Sequence, residues 1–138
     1  MAKIVGVRLR KAKDVCFFDP GDAELVIDDT VIVETTNGWE LAKVVVPPAE
    51  ANATELKEPL KPIVRKAFIE DVKRGEELDV KEKNAIAECN KLIDKLKLSM
   101  KLLSAEYDFD GKRVTIYFRS EERVDFRELV RELADNCT

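Results

Sequence analysis

The chain has 138 residues, 24 of them Lys or Arg and 28 Asp or Glu, so its formal net charge is −4, and it contains no histidine. This length accommodates one ordinary domain or two very small ones, and without an apolar run of transmembrane length we expect a cytoplasmic protein with no membrane insertion. The lack of histidine excludes the commonest general base, the Ser-His and Cys-His nucleophile pairs and the commonest zinc ligand.

The three cysteines are Cys16, Cys89 and Cys137, and no two of them are close in sequence. Zinc fingers and iron–sulphur clusters need close cysteine pairs, so no motif of this kind is present. Cys16 in a predicted strand and Cys89 on the apolar stripe of a predicted helix are interpreted as small buried hydrophobes, and Cys137 as an exposed thiol. We expect no cofactor in this chain.

Short strands with polar turns are predicted for the first 46 residues, at 3–10, 14–19, 24–27, 30–36 and 39–46, with Asn37-Gly38 as a hairpin turn. This pattern predicts a small N-terminal β-barrel-like module over residues 1–47. Pro47 and Pro48 are expected to end the last strand, because proline cannot donate to the sheet ladder. Residues 48–62 are predicted to be a linker, with a helical turn near 53–57.

The second predicted domain, residues 63–138, begins with a strand at 63–68 and a charged helix at 69–98 that is interrupted near Gly75. One face of this helix is predicted to be apolar, with Ile86, Cys89, Ile93 and Leu96, and its charged residues are interpreted as a solvated face. A hairpin and a second helix complete the order β-α-β-β-α. The predicted fold class is therefore α+β, a small N-terminal β-barrel-like module followed by a ferredoxin-like βαββα unit lacking its last strand. The missing last strand has three possible explanations: a different topology, a longer natural chain, or a strand supplied by a neighbouring chain.

The strongest local pattern lies at residues 100–134, where Asp110-Gly111 separates two β-rich runs and predicts a hairpin. In the predicted register Asp108 faces Arg113, Tyr107 faces Val114 and Leu103 faces Phe118. One face of the hairpin is assigned to the core, with Leu103, Ala105, Tyr107, Phe109, Val114, Ile116 and Phe118. In the helix that follows, Asp125 is expected to cap a backbone N–H and Glu128 to reach back to Asp125.

This string resembles the polymerase-suppressor C-terminal domain family, which includes the YaaT-like (RicT-like) bacterial regulators of sporulation, competence and biofilm formation. The N-terminal half also matches, with VGVRL near the start, FFDPGD at 17–22 and VIVET at 31–35. The cysteine-rich region of bacterial members, which the resemblance links to an iron–sulphur cluster, is not in this sequence. Trp39, Ala42 and Lys43 also depart from the smaller, glycine-containing pattern of the family. The residues that carry the resemblance are Met100, Lys101, Leu102, Leu103, Glu106, Tyr107, Phe109, Asp110, Tyr117, Phe118 and the run RVDFRELV at 123–130.

The resemblance implies a non-enzymatic adaptor or regulatory subunit in RNA processing or messenger-RNA maturation. Bacterial relatives are similar to a subunit that assembles with two small helical proteins of the YlbF/YmcA type in a complex that directs RNase Y. Trp and Arg are frequent at binding hot spots, and this favours Trp39, Arg123 and Arg127 as partner-binding residues. The charged candidates can alternatively be interpreted as helix caps and surface ion pairs. The alternative interpretation of Trp39 is a half-buried side chain of the β module. The candidate partner-binding residues are Arg123, Asp125, Arg127, Glu128 and Trp39.

Direct binding of single-stranded RNA to the outer face of the hairpin is the second hypothesis, because exposed aromatic side chains on a sheet can stack bases. The candidates are Arg113, Tyr117 and Arg119. Two acidic residues on the same face, Glu106 and Asp108, and the net negative charge argue against it. A third hypothesis is a hydrolase in which those two carboxylates share a metal ion, although such pairs are abundant on solvated faces.

Overall fold

The computed structural model describes residues 2–52 and 59–136. The chain divides into two compact units, residues 1–76 and 77–138, with the division inside the first helix. The strands pair antiparallel in two sheets and the helices follow them, so the predicted α+β class is confirmed. The described elements are β1 (Ala2–Leu9), β2 (Val15–Phe18), β3 (Thr30–Thr35), β4 (Gly38–Ala51), β5 (Arg65–Lys66), α1 (Ile69–Lys95), β6 (Lys101–Tyr107), β7 (Val114–Arg119) and α2 (Arg127–Asn136).

The sheet of the first unit has the strand order β2-β1-β4-β3-β5. Residues two apart in the central strands share one face and form the main core of this unit, and Ile32 and Leu41 on the opposite face are buried as well. In the described ranges β2 and β5 are the two edge strands of this sheet, and a parallel bridge between Asp19 and Pro62 joins the chain after β2 to the chain before β5, so the sheet is barrel-like without being a fully closed barrel. The core consists of Val5, Val7, Phe18, Leu25, Val31, Val33, Ala42 and Val44.

Two sequence predictions for this unit are wrong. Residues 24–27 form no strand, because Asp29 holds them in a turn: its Oδ2 accepts the Val26 N–H at 3.0 Å, and its own N–H donates to the Val26 carbonyl at 3.1 Å. In addition, β4 continues through Pro47 and Pro48 to Ala51. The register shifts by one residue at this point, and a bulge tolerates proline because it needs no regular ladder donor.

The predicted strand at 63–68 is present only as the two residues of β5, and it pairs with β3 rather than beside the hairpin. Three further backbone hydrogen bonds join residues 63–68 to β3 and to Asp19, including the bond from the Val64 N–H to the Ile32 carbonyl at 2.8 Å. The predicted ferredoxin-like sheet is therefore wrong, and the hairpin forms a two-stranded sheet within the described part of the chain. The partition into residues 1–47, 48–62 and 63–138 stays a prediction.

Helix α1 runs without interruption through Gly75, contrary to the sequence prediction. A Cβ at this position would collide with Cδ1 of Leu41 in β4, so the glycine serves a close contact between helix and strand rather than a break. Cys89 is fully buried, as predicted, and Cys16 packs against the core of the first unit. Neither described helix is long and apolar enough to cross a membrane. The helical turn predicted at 53–57 and Cys137 lie outside the described residues.

The hairpin of the second unit confirms the predicted register next to the turn. Tyr107 faces Val114 and Ala105 faces Ile116, but beyond Leu103 the register shifts, so that Leu102 rather than Leu103 faces Phe118. Leu103 and Phe118, both assigned to the core from the sequence, are exposed as a result. The hairpin and α2 pack with α1 around a core of Cys89, Leu92, Ile93 and Leu129.

Candidate interaction surfaces

The start of α2 displays a closed ion pair between Asp125 and Arg127. Nη2 of Arg127 lies 2.7 Å from Oδ2 of Asp125, and the backbone N–H of Arg127 donates to Oδ1 at 3.0 Å. The hydrogen bonds from the Arg127 guanidinium are the main cause that lowers the pKa of Asp125 to about 2, and the backbone hydrogen bond is the second cause. Both side chains are exposed, so a binding partner can reach the pair.

The predicted reciprocal cap by Glu128 is wrong. The Val130 N–H donates to the Phe126 carbonyl at 2.8 Å, so the helix begins one residue later than a cap at Asp125 requires. Glu128 instead pairs with Arg131 at 3.3 Å, one turn further along the helix. The structure therefore brings Asp125, Arg127 and Glu128 together, with Arg123 exposed in the preceding segment, whereas Trp39 belongs to the other unit.

On the outer face of the hairpin, Arg113, Tyr117 and Arg119 lie at alternating positions and are all exposed. Nε of Arg113 lies 3.1 Å from Oδ2 of Asp108, which confirms the predicted cross-strand ion pair. This pair occupies one of the two carboxylates on which the hydrolase hypothesis rests. In the described part of the chain no three His, Cys, Asp or Glu side chains are grouped to hold a metal ion.

An aromatic cluster, defined by Trp39, Arg65 and Phe68, lies on the surface of the first unit. The Cζ atom of Arg65 is 4.0 Å from the ring centroid of Phe68 and 5.6 Å from that of Trp39. Trp39 is 46% exposed and Phe68 57% exposed. A guanidinium in contact with two aromatic rings is stabilised by cation–π attraction, so the three side chains form one surface.

Asp71 in the first turn of α1 fixes the arginine of this cluster. Its Oδ2 accepts hydrogen bonds from Nη1 of Arg65 at 2.5 Å and from the backbone N–H of Phe68 at 2.7 Å. The hydrogen bond from Arg65 is the main reason that the pKa of Asp71 lies below its ordinary value, and the same bond raises the pKa of Arg65. One carboxylate thus caps the helix and orients the guanidinium.

Sequence reasoning singled out Trp39 but missed Arg65 and Phe68. The available signal was Asp71, three residues after Phe68, which is the spacing of a carboxylate that reaches back to the start of a helix. The contact of Arg65 with Trp39 had no sequence signal, because it depends on the pairing of β5 with β3, the neighbour of the strand β4 that contains Trp39.

In a comparison with known protein families, residues 61–138 match the PSP1 C-terminal conserved region. The chain belongs to the PSP1 C-terminal family. The matched PSP1 region includes Arg65, Phe68, the hairpin and the start of α2, while Trp39 precedes it.

Three relatives extend the comparison. Stage 0 sporulation protein YaaT of Bacillus subtilis is 37% identical over 134 residues, which are 97% of this chain and 49% of YaaT. An uncharacterized Schizosaccharomyces pombe protein is 38% identical over 73 residues, or 53% of this chain and 10% of that protein. Protein PSP1 of Saccharomyces cerevisiae is 54% identical over 39 residues, or 28% of this chain and 5% of PSP1. The chain thus spans half or less of these relatives, and no solved structure matches it significantly.

Proposed function

We propose that this PSP1-family chain is a non-enzymatic adaptor or regulatory subunit that acts through protein–protein contacts. The observation that carries the proposal is the aromatic cluster, in which the exposed Trp39 lies beside the half-buried guanidinium of Arg65, which Asp71 already orients. Tryptophan and arginine are among the residues that dominate binding energy at interfaces. The hydrogen bonds from Arg65 to Asp71 reduce the side-chain entropy that binding would otherwise cost.

The process that we propose is RNA processing and messenger-RNA maturation in the cytoplasm. The proposed partners are small helical proteins of the YlbF/YmcA type and, through them, RNase Y. The similarity to YaaT, a stage 0 sporulation protein, supports a role in sporulation, and regulation of competence and biofilm formation belongs to the same proposal. The exposed start of α2, with Arg123, Asp125, Arg127 and Glu128, is the second proposed contact surface.

Binding of the full chain to purified YlbF- and YmcA-type proteins of the same organism, measured by isothermal titration calorimetry, tests this proposal. Trp39→Ala is expected to weaken binding at least about tenfold, as truncation of a hot spot does. Phe17→Ala is the matched control, because Phe17 is also 46% exposed but lies on β2, outside the aromatic cluster. Equal affinities of the two variants would exclude the aromatic cluster, and no binding by the wild type would exclude these partners.

Direct binding of single-stranded RNA is the second candidate function, favoured by the exposed ring of Tyr117 between Arg113 and Arg119. A fluorescent oligouridine followed by anisotropy provides the test. If bases stack on this ring, Tyr117→Ala should lose affinity while Tyr117→Phe should keep it, since base stacking requires only the aromatic face. Equal binding by the Ala and Phe variants would exclude the hairpin face as an RNA platform.

A further inference from the structure

A groove of about 450 Å³ lies in the second unit, between the hairpin and α2. Val114 and Ile116 of β7 form one wall, and Val130 and Leu133 of α2 form the other. Val130 is 61% exposed, so a large apolar side chain faces solvent at the edge of the groove. The volume is in the range of about 300–1,000 Å³ that is usual for ligand sites in proteins.

Two lysines, Lys81 and Lys112, are the charged residues among those that line this groove. The Nζ atom of Lys81 lies 5.0 Å from the ring centroid of Tyr107 and 3.9 Å from the point where a Cβ of Gly111 would be. Lys81 therefore lies against the hairpin turn that carries Lys112. Both positive charges border the groove at its turn end.

Neither ammonium group has a carboxylate within ion-pair distance in the described ranges, in contrast to Lys66 and Lys95, which pair with Asp29 and Glu132. Two like charges at the end of an apolar groove repel each other and gain from a negative group placed there. The groove thus combines an apolar surface with two positive charges at one end, which favour the binding of a negatively charged group.

We propose that this groove binds an amphipathic helix of a partner protein, with acidic residues of that helix against Lys81 and Lys112. The proposal rests on the proposed adaptor function and names a contact for it. Val130, Leu133 and Ala134 are spaced i, i+3 and i+4, so the α2 wall is a ridge of one helix turn. A second helix with apolar residues at the same spacing can pack against such a ridge.

The probe is a fluorescein-labelled synthetic peptide of about 16 residues, long enough to form a helix, with leucines at i, i+3, i+4 and i+7 and two glutamates at one end. Its partner probe has glutamine in place of both glutamates. The full chain should bind the acidic peptide, measured by fluorescence anisotropy, about tenfold more tightly than the glutamine peptide. The doubly substituted Lys81→Gln, Lys112→Gln chain should remove this difference and its dependence on salt.

Val130→Glu places a negative charge at the edge of the groove and should abolish binding of the acidic peptide. Val80→Glu is the matched control, because Val80 is 58% exposed on α1 but does not line the groove, so this variant should bind as the wild type does. Circular dichroism and urea unfolding of both variants confirm that each is folded.

The groove proposal is overturned if the wild type fails to bind the acidic peptide, or if Val130→Glu and Val80→Glu bind it equally. It is also overturned if light scattering shows that the wild type is a dimer which Val130→Glu dissociates, because the occupant is then a second copy of the chain. If Trp39-dependent binding of the partner proteins persists without peptide binding, the adaptor function stands and the groove proposal fails. If the peptide binds in a lysine-dependent way but those proteins do not bind, the groove proposal stands and these partners are excluded.

Discussion

Oε2 of Glu82 accepts the backbone N–H of Tyr107 at 2.7 Å, and Glu82 is only 1% exposed. The carboxylate belongs to the middle of α1, and Tyr107 is the last residue of β6, so one hydrogen bond joins the helix to the hairpin. A buried backbone donor without an acceptor destabilises the folded state, so the acceptor supplied by Glu82 stabilises this contact. Glu82 is therefore a structural residue, although the charged face of this helix is predicted from the sequence to be solvated.

Glu82→Ala should lower the free energy of unfolding by about 2–3 kcal/mol, because it removes the acceptor of the Tyr107 N–H and leaves a cavity. Glu82→Gln should lower it by less, since the amide oxygen can still accept this hydrogen bond. Urea unfolding followed by circular dichroism measures both changes. Glu77→Ala, an exposed carboxylate on the same helix, is the control and should stay within about 0.5 kcal/mol of the wild type. A loss for Glu82→Ala no larger than for this control would contradict the structural role.

The burial of Glu82 follows a pattern that the sequence contains but that its charge hides. Leu78, Glu82, Ala85 and Cys89 are spaced by four, three and four residues, which is the spacing of one helix face, and all four are buried. From apolar residues alone this face is predicted to begin only at Ile86, about two helical turns after Leu78, because the charged Glu82 interrupts the apolar pattern. A buried carboxyl group needs hydrogen-bond partners, and one of them here is the backbone N–H of Tyr107, 25 positions along the chain, which no local pattern indicates.

The hairpin shows the same limit at shorter range. Its register near Asp110-Gly111 is predictable because the turn fixes it, and the Asp108–Arg113 ion pair follows from that register. The shift at Leu103 has no local signal, because a bulge depends on packing against the rest of the unit. Likewise, the segment that contains β5 is recognisable as a strand, but the choice between two sheets for it is made by tertiary contacts.

Gly75→Ala should destabilise the first unit, although alanine is the better helix former by about 1 kcal/mol. The new methyl group would collide with Cδ1 of the buried Leu41, and overpacking of a core costs about 1–3 kcal/mol. Thermal unfolding should therefore give a lower Tm for Gly75→Ala. In a Leu41→Ala chain, the added Gly75→Ala substitution should lower Tm by less than it does in the wild type, because the colliding methyl group is gone. An equal loss of Tm in both chains would refute the contact.

Acid should destabilise the aromatic cluster through Asp71. The pKa of this carboxyl is lowered in the folded state by Arg65, so its contribution to stability is fully present above the ordinary value of 3.8 and is lost as pH falls through the lowered value. Asp71→Asn should reduce stability at pH 7 by about 1 kcal/mol, and the difference from the wild type should shrink below pH 4. Tm values measured from pH 7 to pH 2 test this, with the exposed Asp22→Asn as control. A difference that is constant over this range would show that the contribution of Asp71 to stability does not depend on its ionisation.

The Asp125–Arg127 pair can be observed directly, because the hydrogen bonds from Arg127 lower the pKa of Asp125 to about 2. An NMR titration of the side-chain carboxyl carbon should give this midpoint, and Arg127→Gln should raise it toward 3.8. Arg131→Gln is the control, since Arg131 pairs with Glu128 and should leave the midpoint of Asp125 unchanged. A midpoint near 3.8 in the wild type would mean that the pair is open in solution. A closed pair offers a partner protein a fixed surface with balanced charge, whereas an open pair offers it a separate cation and anion, so the midpoint determines which kind of surface a partner at this helix start must fit.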